Sequence, residues 1–342
     1  MRILITGAGV VGTEACARLA AQPADVRPVH TTRQAADGST VEWIMGEQPP
    51  PAELDGHWDV IVHTAASTRW SMTRQEATDA NIVPLRAALA LADRDTHLVH
   101  ISTAYVDGPR ATHDTRSAEF EGWRNGYEWS KARCEQIAAE EHPGPLTMVR
   151  PPLILGRRGD GAIARFTGPY TMFQALVSGV AAAVVGSPDG YAEIAPVDEV
   201  ADAIVAAALG TPPDGPRTEI IAAGPGALRM TDLVDVIFEA VNRFRAENGV
   251  APLAVAPMIS TDSWNRFFLP LARQWLTPVQ NETLRLLSMF QSYTSMTDPF
   301  TPTRIVHDPA EIVAVSVRNW AQLRRRQALA APQPWILAGS LP

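Results

Sequence analysis

The chain is poor in cysteine. Its 342 residues include two, Cys16 and Cys134, and neither belongs to a metal-ligand or paired-cysteine motif. A disulfide framework and a zinc site are thereby excluded. Long apolar runs are missing too. The longest, around residues 175–185, is interrupted by Ser178 and Gly179 and is too short to cross a bilayer. Basic tracts are absent apart from Arg324-Arg325-Arg326, which reads as the face of a terminal helix. With a formal net charge of −8, nucleic acid and anionic membrane are excluded as bulk partners. The first residues pass directly into a strand, with no secretory pattern, so a soluble cytoplasmic protein is expected. No internal repeat or low-complexity linker breaks the chain. At 46% hydrophobic and 19% charged residues, it can bury the core of one large or two ordinary domains.

What is present begins at Met1. The β-rich run Met1 to Thr6 leads into Gly7-Ala8-Gly9-Val10-Val11-Gly12, followed by helical patterning from Thr13 to Ala21. A G-x-G-x-x-G between a strand and a helix is a dinucleotide fingerprint. Gly7 allows the tight turn, Gly9 admits a pyrophosphate close to backbone, and Gly12 permits close packing of helix on strand. The following strand, Val26 to His30, ends at Thr31-Thr32-Arg33. No acid stands where an NAD ribose would be bound, about 20 positions after the fingerprint. Arg33 stands there instead, and a guanidinium suits a 2′-phosphate, so NADPH is expected over NADH. A further strand ends at Thr64-Ala65-Ala66, small residues beside which a cofactor can lie. Asn81 opens a helix predicted over 82–92, either as its cap or as a tie to the active-site strand.

The chemistry-bearing pair is Tyr127 and Lys131, with Ser102-Thr103 upstream. Four residues apart on a helix, phenol and ammonium share one face. An ammonium beside a phenol lowers its pKa and makes it a usable proton donor or acceptor. The Thr103 hydroxyl is placed to hydrogen-bond the same substrate oxygen. His63 and His100, on strands, read as hydrogen-bonded core histidines.

Strands alternate with helices from Met1 to about Gly156, which predicts a Rossmann-type, doubly wound parallel sheet of the α/β class. Leu98 to Ile101 and Leu146 to Arg150 are strands of this sheet, and the second stops at Pro151-Pro152. Residues 1–156 form the expected NADP(H)-binding domain. Residues 157–342 form a smaller, mainly helical α/β substrate lobe, with segments near 194–224 returning to the main sheet. Within the lobe a helix over 231–248 is expected to be capped by Thr231, a strand to fill 250–259, and helix to dominate 261–295. Tyr105, Phe166 and Tyr170 are candidates for lining a substrate cleft, with core packing the alternative.

These motifs, with Arg150-Pro151 and Pro196-Val197-Asp198, together resemble the extended short-chain dehydrogenase/reductase superfamily. The run Ser102-Thr103-Ala104-Tyr105-Val106-Asp107-Gly108, and scattered positions from Met289 to Trp320, resemble its fatty acyl-CoA and carrier-protein thioester reductase branch. That glycine loop is one residue shorter than the usual G-x-x-G-x-x-G. The resemblance implies an NAD(P)-dependent oxidoreductase that reduces a carbonyl or acyl-thioester substrate, carrier-protein bound or free, in bacterial secondary metabolism. It assigns Thr103 to carbonyl orientation, Tyr127 to protonation and Lys131 to the nicotinamide ribose, with Pro151 beside the cofactor. It also implies dimerisation through helices flanking Tyr127. Two other readings stand beside it. A nucleotide-sugar epimerase or dehydratase is one, although Ala104-Tyr105 occupies the place of a dehydratase's acidic pair. A non-catalytic NADP(H)-sensing protein is the other, although its tyrosine and lysine are intact.

Overall fold

The computed structural model describes residues 1–35, 38–106, 120–181, 183–272, 281, 284 and 290–332. Asp107, Gly108 and Met289, quoted for the resemblance, lie outside the described residues, as does much of the segment 261–295 expected to be helical. The chain divides into two units: one of 1–152, 197–222 and 301–305, the other of 153–196, 223–300 and 306–342.

The first unit is built on an eight-stranded sheet. Its strands are β1 (Arg2–Thr6), β2 (Arg27–Thr32), β3 (Val41–Glu42), β4 (Val60–His63), β5 (His97–Ile101), β6 (Leu146–Arg150), β11 (Arg217–Ala222) and β14 (Arg304–Ile305). Their order is β14-β11-β6-β5-β4-β1-β2-β3, and every pairing is parallel. The order reverses between β1 and β4, the point where an open parallel sheet leaves a crevice at its carboxyl ends. The central strands are buried on both faces, which is why they read as near-continuous apolar runs rather than alternating ones. Helices α1 (Val10–Ala20) and α6 (Val197–Leu209) pack together, joined also by Arg18 to Asp202 at 2.6 Å. Helices α2 (Arg74–Ala77), α3 (Val83–Leu89) and α4 (Gly126–Glu141) enclose a second core with the sheet, in which Trp43, Trp58, Leu85, Leu98 and Ile137 are shut from water.

The helix predicted from Ile82 starts two turns earlier. Thr73 caps it with a complete capping box: its hydroxyl accepts from the Glu76 amide, and the Glu76 carboxylate accepts from the Thr73 amide. Asn81 therefore is no cap. It sits inside a π-turn, residues Thr78–Ile82, between α2 and α3.

The second unit holds three short strand pairs: β7 (Leu153–Leu155) with β10 (Ile194–Pro196), β9 (Tyr191–Ala192) with β12 (Leu228–Arg229), and β8 (Val184–Val185) with β13 (Met258–Ile259). The strand expected over 250–259 is reduced to those last two residues, since Pro252 and Pro257 remove amide donors before it. Of the segments near 194–224, Arg217–Ala222 joins the large sheet, while Ile194–Pro196 pairs with β7. Helices α5 (Pro169–Val177), α7 (Met230–Glu247), α8 (Pro309–Leu323) and α9 (Arg325–Leu329) surround the core of this unit. Leu233, Val234, Ile237, Phe238, Val241 and Phe244 recur at helical spacing along α7 and are buried against α8. Arg229, not Thr231, is the N-cap of α7, and it makes no side-chain cap bond; the Thr231 hydroxyl turns to the Pro188 carbonyl instead. The Glu193 carboxylate, fully buried, accepts from the amides of Ala223, Gly224 and Phe300 and so ties three segments together.

Candidate active site

All three proposed catalytic residues, and every proposed cofactor residue, lie in the first unit. Gly7 follows β1 with φ +92, a conformation that favours glycine. A Cβ on Gly12 would lie 2.0 Å from the Gly7 carbonyl oxygen and 2.4 Å from Thr64 Oγ1, so helix and strand meet there with no space for a side chain. A Cβ on Gly9 would meet nothing within 4 Å. Gly9 is also the N-cap of α1 and supplies no side-chain cap, leaving the first-turn amides, those of Val10 and Val11 included, free of a side-chain acceptor. An open approach to backbone beside an uncapped helix N-terminus fits a pyrophosphate, despite the shortened loop. Thr64 closes the turn by donating to the carbonyls of Thr6 and Gly7, and Ala65 packs against Gly7. Ala66 follows, half-buried. Arg33, just past β2, is exposed and pairs with Glu47 at 2.9 Å.

The acid–base group is assembled by α4. Asn125 caps the helix, accepting from the Glu128 amide. The helix can start close to its neighbour because residue 126 is glycine; a Cβ there would sit 2.3 Å from the Met72 carbonyl oxygen. Tyr127 is half-buried, and the Thr103 hydroxyl acts on its phenol. Thr103 also reaches the Pro151 carbonyl at 3.4 Å, an acceptor that the Ala104 amide holds more tightly at 2.9 Å. Lys131 donates to the carbonyl of Ile101, the last residue of β5, at 2.7 Å. It is the only lysine in a chain with 28 arginines. That imbalance is a compositional signal that points straight at the position, since a compact ammonium and a forked guanidinium are not interchangeable in a confined site.

The electrostatics differ from the sequence expectation. Burial pushes the Tyr127 phenol above its ordinary pKa, a rise that the Thr103 hydroxyl opposes and the Glu128 charge adds to. Lys131 spends its ammonium on Ile101, and its own pKa is lowered, by burial first. The phenol is therefore protonated at neutral pH, the form a proton donor requires.

Further residues complete the assembly, Asn81 among them. Asn81, fully buried, accepts from the Ser67 amide at 2.6 Å and donates to the Ser67 carbonyl and to Ser130 Oγ. Ser130 in turn donates to the Tyr127 carbonyl, so the π-turn braces the helix that carries the phenol. One turn beyond Lys131, Glu135 accepts from Arg150 Nε at 2.8 Å and from a terminal guanidinium nitrogen at 2.5 Å. Burial pushes the Glu135 carboxyl up, while the nearby Ser102 hydroxyl and the charge of Lys131 pull it down. Glu135 thus joins α4 to Arg150, the residue preceding Pro151. His63 and His100 stack at 5.5 Å beneath this group. His63 bonds Thr6 Oγ1 at 2.8 Å, as a core histidine should. His100 departs from that expectation, since neither ring nitrogen has a hydrogen-bond partner among the described residues. Burial, and then the charge of Lys131, lower the His63 pKa to about 3 and hold that of His100 far below its ordinary value.

The three cleft candidates do not come together in one unit. Tyr105 belongs to the first, buried with the Arg124 guanidinium 5.5 Å from its ring. Phe166 and Tyr170 pack in the second at 4.9 Å. Tyr170 is a core residue whose hydroxyl accepts from the Gly156 amide.

Residues 50–204 match the "Male sterility protein" family of NAD-binding domains. The chain resembles fatty acyl-CoA reductases. Chicken (Gallus gallus) fatty acyl-CoA reductase 1 is 25% identical over 197 residues, 48% of this chain and 38% of that protein. The chain thus spans less than half the length of the curated relatives it matches. Among solved structures, the terminal R domain of the myxalamid polyketide–nonribosomal peptide pathway superposes with a TM-score of 0.67 at 20% identity, covering 97% of this chain and 92% of that one. A thiolation-reductase di-domain from an archaeal nonribosomal peptide synthetase gives 0.65 at 14%, covering 95% and 76%. A UDP-galactose 4-epimerase gives 0.56 at 17%, covering 95% and 100%. These likenesses establish the fold expected from the sequence, and the resemblance to the acyl and thioester reductase branch of the superfamily is borne out.

Proposed function

We propose that the chain reduces an acyl thioester, or the aldehyde derived from one, with NADPH. The observation that carries this reading is Tyr127 on α4 in one unit with Thr103, just past the carboxyl end of β5, and with the glycine loop. Gly7, Gly9, Gly12 and the first turn of α1 would hold the dinucleotide, Arg33 would meet the 2′-phosphate after leaving Glu47, and Lys131 would meet the ribose. Bound there, the nicotinamide supplies hydride to the carbonyl carbon. Tyr127 gives its proton to the carbonyl oxygen, which Thr103 holds in line. From a thioester this yields a hemithioacetal, whose C–S bond breaks to release thiol and aldehyde. A second hydride and a second proton from Tyr127 take the aldehyde to an alcohol.

The test is NADPH oxidation by the purified chain with a panel of acyl thioesters, aldehydes and ketones. Tyr127→Phe should cost about 10²–10⁴-fold in kcat with little change in cofactor affinity. Turnover that survives Tyr127→Phe undiminished would sink the mechanism. Tightly retained NAD, with interconversion of nucleotide sugars, would move the reading to the epimerases whose fold the chain shares.

A further inference from the structure

The second unit carries arginines that no carboxylate neutralises. Arg165, Arg324, Arg325 and Arg326 are exposed, and none forms an ion pair among the described residues. Elsewhere in the same unit exposed arginines are paired, Arg243 with Glu239, Arg266 with Asp262 and Arg318 with Glu247. The sequence keeps acids away from the four. No Asp or Glu occurs between Asp160 and Asp189, and none follows Glu311. A locally basic face therefore stands on a chain of net charge −8.

The face is held in place without being neutralised. The Arg324 guanidinium lies 5.6 Å from the ring centre of Phe166, the residue after Arg165, and that of Arg325 lies 6.0 Å from the ring centre of Phe244 on α7. Aromatic faces fix a cation and leave its charge intact. Gln174 Nε2 donates to Gln327 Oε1 at 2.8 Å, which fastens α9 to α5. Successive helical positions are about 100° apart, so the three arginines splay rather than converge on one phosphate. Leu323, 66% exposed, adds an apolar element immediately before them. A broad basic surface with an apolar side chain fits a folded acidic protein better than a single anion.

We propose that this arginine face docks the acidic surface of a separate protein. Resting on the reading above, that protein is the thiolation domain that presents the acyl thioester. Charge of this kind governs capture and salt dependence more than the chemical step.

The experiment is a binding titration that needs no turnover. A fluorescently labelled, phosphopantetheinylated thiolation domain of net negative charge is titrated with the full chain at low salt, and vesicles of anionic lipid and single-stranded DNA are titrated in parallel. Binding of the thiolation domain is expected to fall about tenfold or more in the R324E/R325E/R326E variant and with added salt, and to be kept in the R324K/R325K/R326K variant. Reduction of a thioester on a small thiol should be the same in all three proteins. Absence of binding, binding indifferent to charge reversal, or preference for vesicles or DNA would each overturn the docking surface. A chain that binds the thiolation domain through these arginines yet reduces no thioester would leave the docking intact and refute the catalytic reading instead.

Discussion

The two units use arginine in opposite ways. In the first, Arg150 is buried and shares both ends of its fork with Glu135, each side chain about one-tenth exposed. In the second, Arg324, Arg325 and Arg326 are exposed, and among the described residues none of them pairs with a carboxylate. A buried guanidinium must be paired, because an isolated charge in protein is costly, and the pairing then fixes whatever is attached to it. In the first unit those attachments are α4 and the strand end that precedes Pro151. An exposed guanidinium carries no such requirement and contributes little to folding.

The comparison breaks first, if it breaks, at Glu135. Glu135→Gln removes one charge from a buried ion pair and should cost about 3–5 kcal/mol in urea unfolding. A loss under about 1 kcal/mol, as at a surface pair, would show that water reaches the pair and that it does not organise the site.

Gly12 and Gly9 give the next largest effect and a contrast within one loop. Gly12→Ala drives a methyl onto the Gly7 carbonyl and Thr64. It should destabilise the fold by about 1–3 kcal/mol, as overpacking does. Gly9→Ala enters open space, so stability should hold while NADPH affinity falls. Equal stability losses for the two, measured by thermal unfolding, would mean that the opening at Gly9 is not a ligand approach.

The stacked histidines predict a pH dependence. In the folded chain His63 titrates at about 3 and His100 well below its ordinary value, whereas both titrate near 6.5 when unfolded. Protons therefore bind the unfolded chain better. The stabilisation is complete above about pH 6.5 and is lost as pH falls through the interval down to about 3, at up to about 1.4 kcal/mol per pH unit for each ring. Urea midpoints between pH 7.5 and 5 measure this slope, and His100→Phe should flatten it. An unchanged slope in that variant would place the acid sensitivity elsewhere.

The smallest effect belongs to the exposed face. Arg326→Ala should leave the unfolding free energy within about 0.5 kcal/mol. A loss as large as that of Glu135→Gln would erase the distinction between the two kinds of arginine.

The nucleotide half of the fold was legible in the sequence because its signals are local. The strand before Gly7, the three glycines and the i,i+4 relation of Tyr127 to Lys131 all fall within short windows. So does the strand Leu146 to Arg150, recovered residue for residue. The early start of the helix before Asn81 was written in Thr73 and Glu76, but the asparagine offered a competing cap one π-turn later. Glu135 and Arg150 are 15 residues apart and meet only because a helix returns beside the strand that follows it, which no local pattern announces. The electrostatic outcome at Tyr127 was out of reach for another reason: spacing gives the neighbour, but burial decides which way the phenol shifts. The second unit, with strands of two or three residues, offered almost no periodicity to read.

Lys131 also has a practical consequence. In a chain with a single lysine, an isotope introduced through lysine reports on one side chain. Its signal is a site-specific probe that needs no engineered label. Ligand that reaches the site should shift that lone resonance, so occupancy could be followed in the unmodified chain.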